Sequence, residues 1–240
     1  MFIDPYCTAH RQGSFSFTRK QASRFAKQVA NDFNPIHDED SKRFCVPGDL
    51  LFARILCERG IAAKLKVHFS GMVSDGVELR LTETEGPPGA QCGVLVDSKG
   101  REYLKYESQG EKMTDSAVIE RLIRRYVSFS GENFPHLLVP LMKNQGVMVN
   151  PARPLVIYES MSVDLQTTDL VDPVLESAGS ELLVVGRRGN VTLRFTFKDQ
   201  GEIVGTGEKA MVLSSLREYV QSDIDAMIDE YRQRRQRFMA

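Results

Sequence analysis

Leu50-Leu51-Phe52-Ala53-Arg54-Ile55-Leu56-Cys57 decides the fold. Wound as a helix, this stretch is apolar on most sides, so it has to be enveloped rather than laid on a surface. Val46-Pro47-Gly48-Asp49 leads into it and Gly60 is placed to end it. Downstream, from Val67, the hydrophobic period changes to two: Val77, Leu79 and Leu81 alternate with Glu78 and Arg80. Turn clusters at Ser74-Asp75-Gly76, Gly86-Pro87-Pro88-Gly89 and Asp97-Ser98-Lys99-Gly100 divide this region into successive antiparallel strands. A buried helix followed by strands that can wrap it is an α+β arrangement.

Upstream of the helix, Phe15-Ser16-Phe17 alternates as a short strand. Thr18 stands three residues before Gln21, the capping-box spacing that opens a helix. Ala22, Phe25, Ala26 and Val29 then form one apolar helical stripe, and Asn34-Pro35 predicts a stop between Asn31 and Asn34.

The later half repeats this order. Ile119 to Val127 is helical in pattern, Ser130 to Pro135 is interrupted by Gly and Pro, Leu137 to Met142 is apolar, and strands follow at Leu182 to Val185, Val191 to Phe197 and Ile203 to Leu213. Two similar units in tandem describe the chain most simply, 1–115 and 116–240, with the join between residues 112 and 118. Ser222 to Phe238 closes the chain as a helix with Val220, Ile224, Met227, Ile228 and Tyr231 on one face. Its acids come early and Arg232, Arg234, Arg235 and Arg237 late, which suits the helix dipole and reads as a solvated helix end.

The 240 residues carry a formal net charge of −1, so nothing in bulk attracts a phosphate backbone or an anionic bilayer. Neither nucleic acid nor a membrane is expected as a partner, and with no leader-like start the protein is expected in the cytoplasm. Cys7, Cys45, Cys57 and Cys92 are widely spaced without a CxxC pair and read as reduced, mostly buried thiols. His10 and His68 lack partners at metal-ligand spacing, and no metal or cofactor is expected. Gly205-Thr206-Gly207 lies in a strand-like run with no helix after it, which makes these sheet glycines rather than a dinucleotide loop.

The chemistry concentrates in Asp32-Phe33-Asn34-Pro35-Ile36-His37, between the amphipathic helix and the enveloped one. Pro35 restricts the backbone between Asp32 and His37, so the two titratable groups can be held together at low entropic cost. A carboxylate beside an imidazole can share a water, one group taking its proton while the other delivers or stabilises charge. Taken alone, the same residues also fit an Asx-type turn, with Asp32 at the helix exit and His37 hydrogen-bonded at the surface.

This segment, preceded by Phe25-Ala26, resembles the D-x-N-P-x-H motif of the (R)-specific enoyl-CoA hydratases in the MaoC-like branch of the hotdog superfamily. The resemblance implies a double hotdog: two antiparallel sheets, each wrapping a long central helix, plus the C-terminal helix. It implies a hydro-lyase in which Asp32 and His37 activate the water that adds to C3 of a trans-2-enoyl thioester, or dehydrate a 3-hydroxyacyl thioester in reverse. Asn34 would orient the pair, and the start of the central helix, Pro47, Gly48 and Asp49, would bind the thioester carbonyl. The partner would be an acyl-CoA or acyl-carrier-protein thioester, and the assembly a monomer or homodimer.

The chain departs from the family pattern at Asn31, where glycine is usual, at Arg43, where a small residue is usual, and at Pro47-Gly48, where His-Gly is common. Those departures support an alternative, a non-catalytic acyl-CoA or acyl-carrier binding protein; a thioesterase is a further one, since a carboxylate can activate water toward a carbonyl. Ser130 to His136 echoes the motif with altered spacing, which makes the second half a degenerate partner. A site at Glu132 and His136 is the minor variant of that reading.

Overall fold

The computed structural model describes residues 1–131 and 134–239. Its strands are β1 Thr8–Ala9, β2 Phe15–Ser16, β3 Ile61–Phe69, β4 Leu79–Thr84, β5 Ala90–Asp97, β6 Glu102–Met113, β7 Val147–Met148, β8 Val156–Leu165, β9 Val174–Val185, β10 Arg188–Asp199, β11 Glu202–Ser214 and β12 Arg217–Glu218. Its α-helices are α1 Arg19–Gln28, α2 Gly48–Arg59, α3 Ser116–Gly131, α4 Val139–Asn144 and α5 Gln221–Met239.

Ten strands form one antiparallel sheet in the order β1-β2-β4-β5-β6-β3-β8-β11-β10-β9, and β7 pairs with β12 in a small second sheet. The strand sets on either side of α3 therefore merge edge to edge, with Lys64 to His68 of β3 paired against Ser160 to Asp164 of β8. This is an α+β hotdog architecture in which the sheet wraps helices on one face.

α2 is the enveloped helix. Leu50, Phe52, Ala53 and Leu56 have no exposed surface, and burying each of the larger apolar side chains contributes about 1.5–3 kcal/mol. Gly60, at φ 77°, ends the helix in a conformation that an L side chain resists. α3 shares the same core. Tyr126 of α3 stacks on Phe52 of α2, with centroids 4.6 Å apart, and meets Phe195 of β10 edge-on at 5.4 Å.

α1 carries the expected capping box: the Thr18 hydroxyl accepts from the Gln21 amide while the Gln21 side chain accepts from the Thr18 amide. The helix ends earlier than Asn31, at Gln28 with Val29 as its cap, because the chain is already winding into the motif segment. Gly205 and Gly207 are sheet glycines of β11. A Cβ on Gly207 would lie 2.2 Å from the Phe195 ring, so only glycine leaves room for that ring. No helix among the described residues is long and apolar enough to cross a membrane.

Candidate active site

The exit of α1 sets the position of Asp32. The Ala30 amide donates to the Phe25 carbonyl and the Asp32 amide to that of Ala26, with Asn31 between them in the left-handed region at φ 52°. Asparagine is the side chain that tolerates this conformation best after glycine, so the departure at Asn31 preserves the turn. Asp32 Oδ1 then accepts from the Asn34 amide at 2.9 Å, and Asn34 Oδ1 from the Ile36 amide at 3.1 Å. These consecutive Asx turns start a short 3-10 turn, Pro35–His37, with Asn34 as its cap. Asn34 therefore orients the turn that carries His37.

His37 is fixed from its far side. Its Nδ1 lies 2.7 Å from the Cys45 carbonyl oxygen, which can only accept, so Nδ1 carries the proton and Nε2 of the neutral ring is an acceptor. Nε2 stands 3.6 Å from Asp32 Oδ2, a spacing that one water can bridge. Burial raises the Asp32 carboxyl above its ordinary range, against the lowering influence of His37 and of the Asn34 amide.

Asp32, Asn34 and His37 line a common cavity of about 490 Å³. Gly48, the first residue of α2, lines it as well, so the cavity reaches from the acid/base pair to the helix N-terminus. A Cβ on Gly48 would meet the Tyr158 ring at 3.0 Å and the Phe69 ring at 3.4 Å, which explains the glycine in the place of a larger residue. Leu51, Phe69, Met72, Leu138 and Met211 make the interior apolar.

Two of the residues expected to bind the thioester carbonyl have other positions. Pro47 does not line the cavity and has no amide hydrogen; its carbonyl accepts from Leu50. Asp49 turns away into the core, 2% exposed, and forms an ion pair with fully buried Lys209 at 3.3 Å. Lys209 Nζ also donates to the Tyr126 carbonyl at 2.7 Å and lies 3.8 Å from the centroid of the Tyr126 ring. Burial lowers the Lys209 pKa to about 8, with Asp49 opposing the shift. The ion pair offsets the negative charge that Asp49 would otherwise place beside the α2 N-terminus. The sequence signal for this was a lysine in inward register with Met211 and Leu213 on β11.

The reading of the C-terminal arginines as a solvated helix end fails for Arg234. It lines the cavity, and its guanidinium bonds Asp38, which in turn pairs with Lys27 at 2.7 Å. Arg232, Arg235 and Arg237 are exposed. α5 also holds the motif through the Tyr231 hydroxyl, which donates to the Asn31 carbonyl at 3.1 Å, and through edge contacts of Phe33 with Tyr231 and Phe238. Met227, Glu230 and Tyr231 add to the cavity wall. In the second half, His136 is exposed, and Glu132 lies outside the described residues. The Cys45 thiol, pushed up to about 12 by burial, is no nucleophile; it donates to the Val46 carbonyl.

The profile of DUF3581, described as a protein of unknown function, matches residues 1–222. The chain belongs to the DUF3581 family. α5, beyond its first two residues, lies outside the part of this DUF3581 protein that the profile matches. No curated protein matches the sequence.

Among solved structures, the DUF3581 chain is similar to a conserved hot dog fold protein of unknown function from Alicyclobacillus acidocaldarius, with TM-score 0.49 and 10% identity over 91% of this chain and 98% of that one. It is also similar to a putative thioesterase II from Thermobifida fusca, with TM-score 0.47 and 9% identity over 88% and 97% of the two chains. A MaoC-like dehydratase gives TM-score 0.41 and 11% identity over 84% and 95%.

Proposed function

We propose that this protein adds water to trans-2-enoyl thioesters, or removes it from 3-hydroxyacyl thioesters, at Asp32 and His37. The observation that supports the reading is one cavity holding Asp32 Oδ2 and His37 Nε2 3.6 Å apart and extending to the N-terminus of α2.

In the hydration direction, a water between the two groups gives its proton to His37 Nε2 as its oxygen bonds to C3 and the C2=C3 π bond opens. Protonated Asp32, favoured by burial, delivers a proton to C2. Transfer of the proton from His37 to Asp32 restores both groups. Negative charge growing on the thioester oxygen meets the amide of Gly48 and the positive end of α2. The apolar interior takes the acyl chain.

Crotonyl-CoA and longer enoyl-CoA substrates test the reading by loss of enoyl absorbance. We expect turnover in the native protein and its loss in Asp32→Asn and His37→Ala. Absence of turnover at every chain length, or activity indifferent to both substitutions, would rule it out. Release of free thiol in step with the loss of absorbance would identify a thioesterase instead, because hydrolysis of the thioester also removes the conjugated chromophore.

A further inference from the structure

The mouth of the cavity carries a charge that the motif does not explain. Lys42 and Arg43, just after the motif, and Arg153, from the loop before β8, are all exposed and all line the cavity. Among the described residues none of the three has a carboxylate partner. By contrast Lys27, Arg54, Arg59, Arg125, Arg194 and Arg234 are each ion-paired. Of the two carboxylates that line the cavity, Asp32 faces His37 and Glu230 is paired with Arg234. The rim is therefore locally cationic on a chain of net charge −1. Arg43 also occupies a position where the hydratase pattern has a small residue, so this charge is a property of the chain itself.

Unpaired guanidinium and ammonium groups around a cavity with an apolar interior suit a ligand with an uncharged, insertable arm and a phosphorylated head. We propose that Lys42, Arg43 and Arg153 form a phosphate-binding rim for a nucleotide-linked thioester, one whose head carries a 3′-phosphate and a pyrophosphate, as in coenzyme A. This rests on the thioester reading of the same cavity. An acidic carrier protein fits the surroundings less well. Glu39 and Asp40 beside the rim are exposed and would repel its surface, whereas a compact nucleotide reaches only the three cations.

Calorimetric titration of the whole protein with three non-reacting probes tests the proposal: butyryl-CoA, S-butyryl-pantetheine, which has the arm without phosphates, and adenosine 3′-phosphate 5′-diphosphate, which has the phosphates without the arm. We expect butyryl-CoA to bind at least about tenfold more tightly than butyryl-pantetheine, the scale of one charge-assisted hydrogen bond. The Lys42→Gln/Arg43→Gln/Arg153→Gln variant should remove that advantage and the salt dependence while leaving pantetheine-ester affinity unchanged. Equal affinity for the two esters, or a triple variant that binds butyryl-CoA as the native protein does, would overturn the rim. A triple variant that loses the pantetheine ester as well would also overturn it, because the cations would then support the fold. If the nucleotide binds through the three cations while neither ester binds, the rim stands and the thioester reading falls.

Discussion

Two acid–base pairs flank the start of α2 and have opposite environments. Asp32 and His37 face a cavity, held apart at 3.6 Å by backbone turns, with Asp32 Oδ1 engaged by an amide and Oδ2 turned toward the imidazole. Asp49 and Lys209 are sealed in the core, 2% and 0% exposed, with the lysine also satisfied by a carbonyl and an aromatic face. In the proposed function one pair exchanges a proton with something that enters, while the other balances charge in the core, where water does not reach. What a carboxylate near the α2 N-terminus can do therefore depends on where it points, since both come from neighbouring segments of chain.

The sealed pair gives the largest expected effect on stability. Lys209→Met removes the ion-pair partner of the Asp49 carboxylate in the core and should cost about 3–5 kcal/mol in denaturant unfolding, while Lys209→Met with Asp49→Leu should recover most of it. His37→Ala, at the cavity wall, should cost far less. Equal losses for Lys209→Met and His37→Ala would erase the distinction between the two pairs.

Activity should respond in the reverse order. Asp32→Asn is expected to lower enoyl hydration by about 10²–10⁴-fold, the range of a positioned acid or base. The same substitution should raise the melting temperature at neutral pH. A carboxyl whose folded pKa is raised loses stability as pH climbs from its ordinary value of 3.8 through the folded value, so at neutral pH the buried Asp32 carboxyl is a burden that Asn removes. A variant that is both inactive and less stable would make Asp32 a structural residue.

The pH dependence of stability separates the pairs again. Lys209 titrates near 8 in the folded protein and near its ordinary 10.5 when unfolded. Between those values the unfolded chain binds more protons, so this group makes the protein more stable as pH rises across that window. The slope of native stability minus that of the Lys209→Met/Asp49→Leu variant should be positive there, and a zero difference would mean that the lysine keeps its ordinary pKa in the fold.

What the sequence disclosed follows the distance over which each feature is determined. The Thr18–Gln21 box, the enveloped helix ended by Gly60 and the Asp32 to His37 turn are local, and local residue types specify them. The joining of two strand sets through β3 and β8 pairs residues about a hundred positions apart, and no periodicity encodes a partner at that separation. The same holds for Asp49 with Lys209 and for Asp38 with Arg234. A carboxylate at the start of a helix reads as part of a carbonyl-binding helix end until the core packs a lysine against it. An arginine-rich helix end reads as solvated until the helix docks.

The docking of α5 gives the smallest and most specific test of the open pair. Tyr231→Phe keeps the ring against Phe33 and removes only the hydroxyl that donates to the Asn31 carbonyl. One hydrogen bond of this kind is worth about 0.5–1.5 kcal/mol, so the melting temperature should fall by only a few degrees. The left-handed turn at Asn31 immediately precedes Asp32, and loosening it should displace the carboxylate relative to His37. We therefore expect kcat to fall severalfold while KM for crotonyl-CoA stays near the native value, because the apolar wall is intact. A fall in stability with kcat unchanged would show that α5 clasps the fold without aligning the acid/base pair.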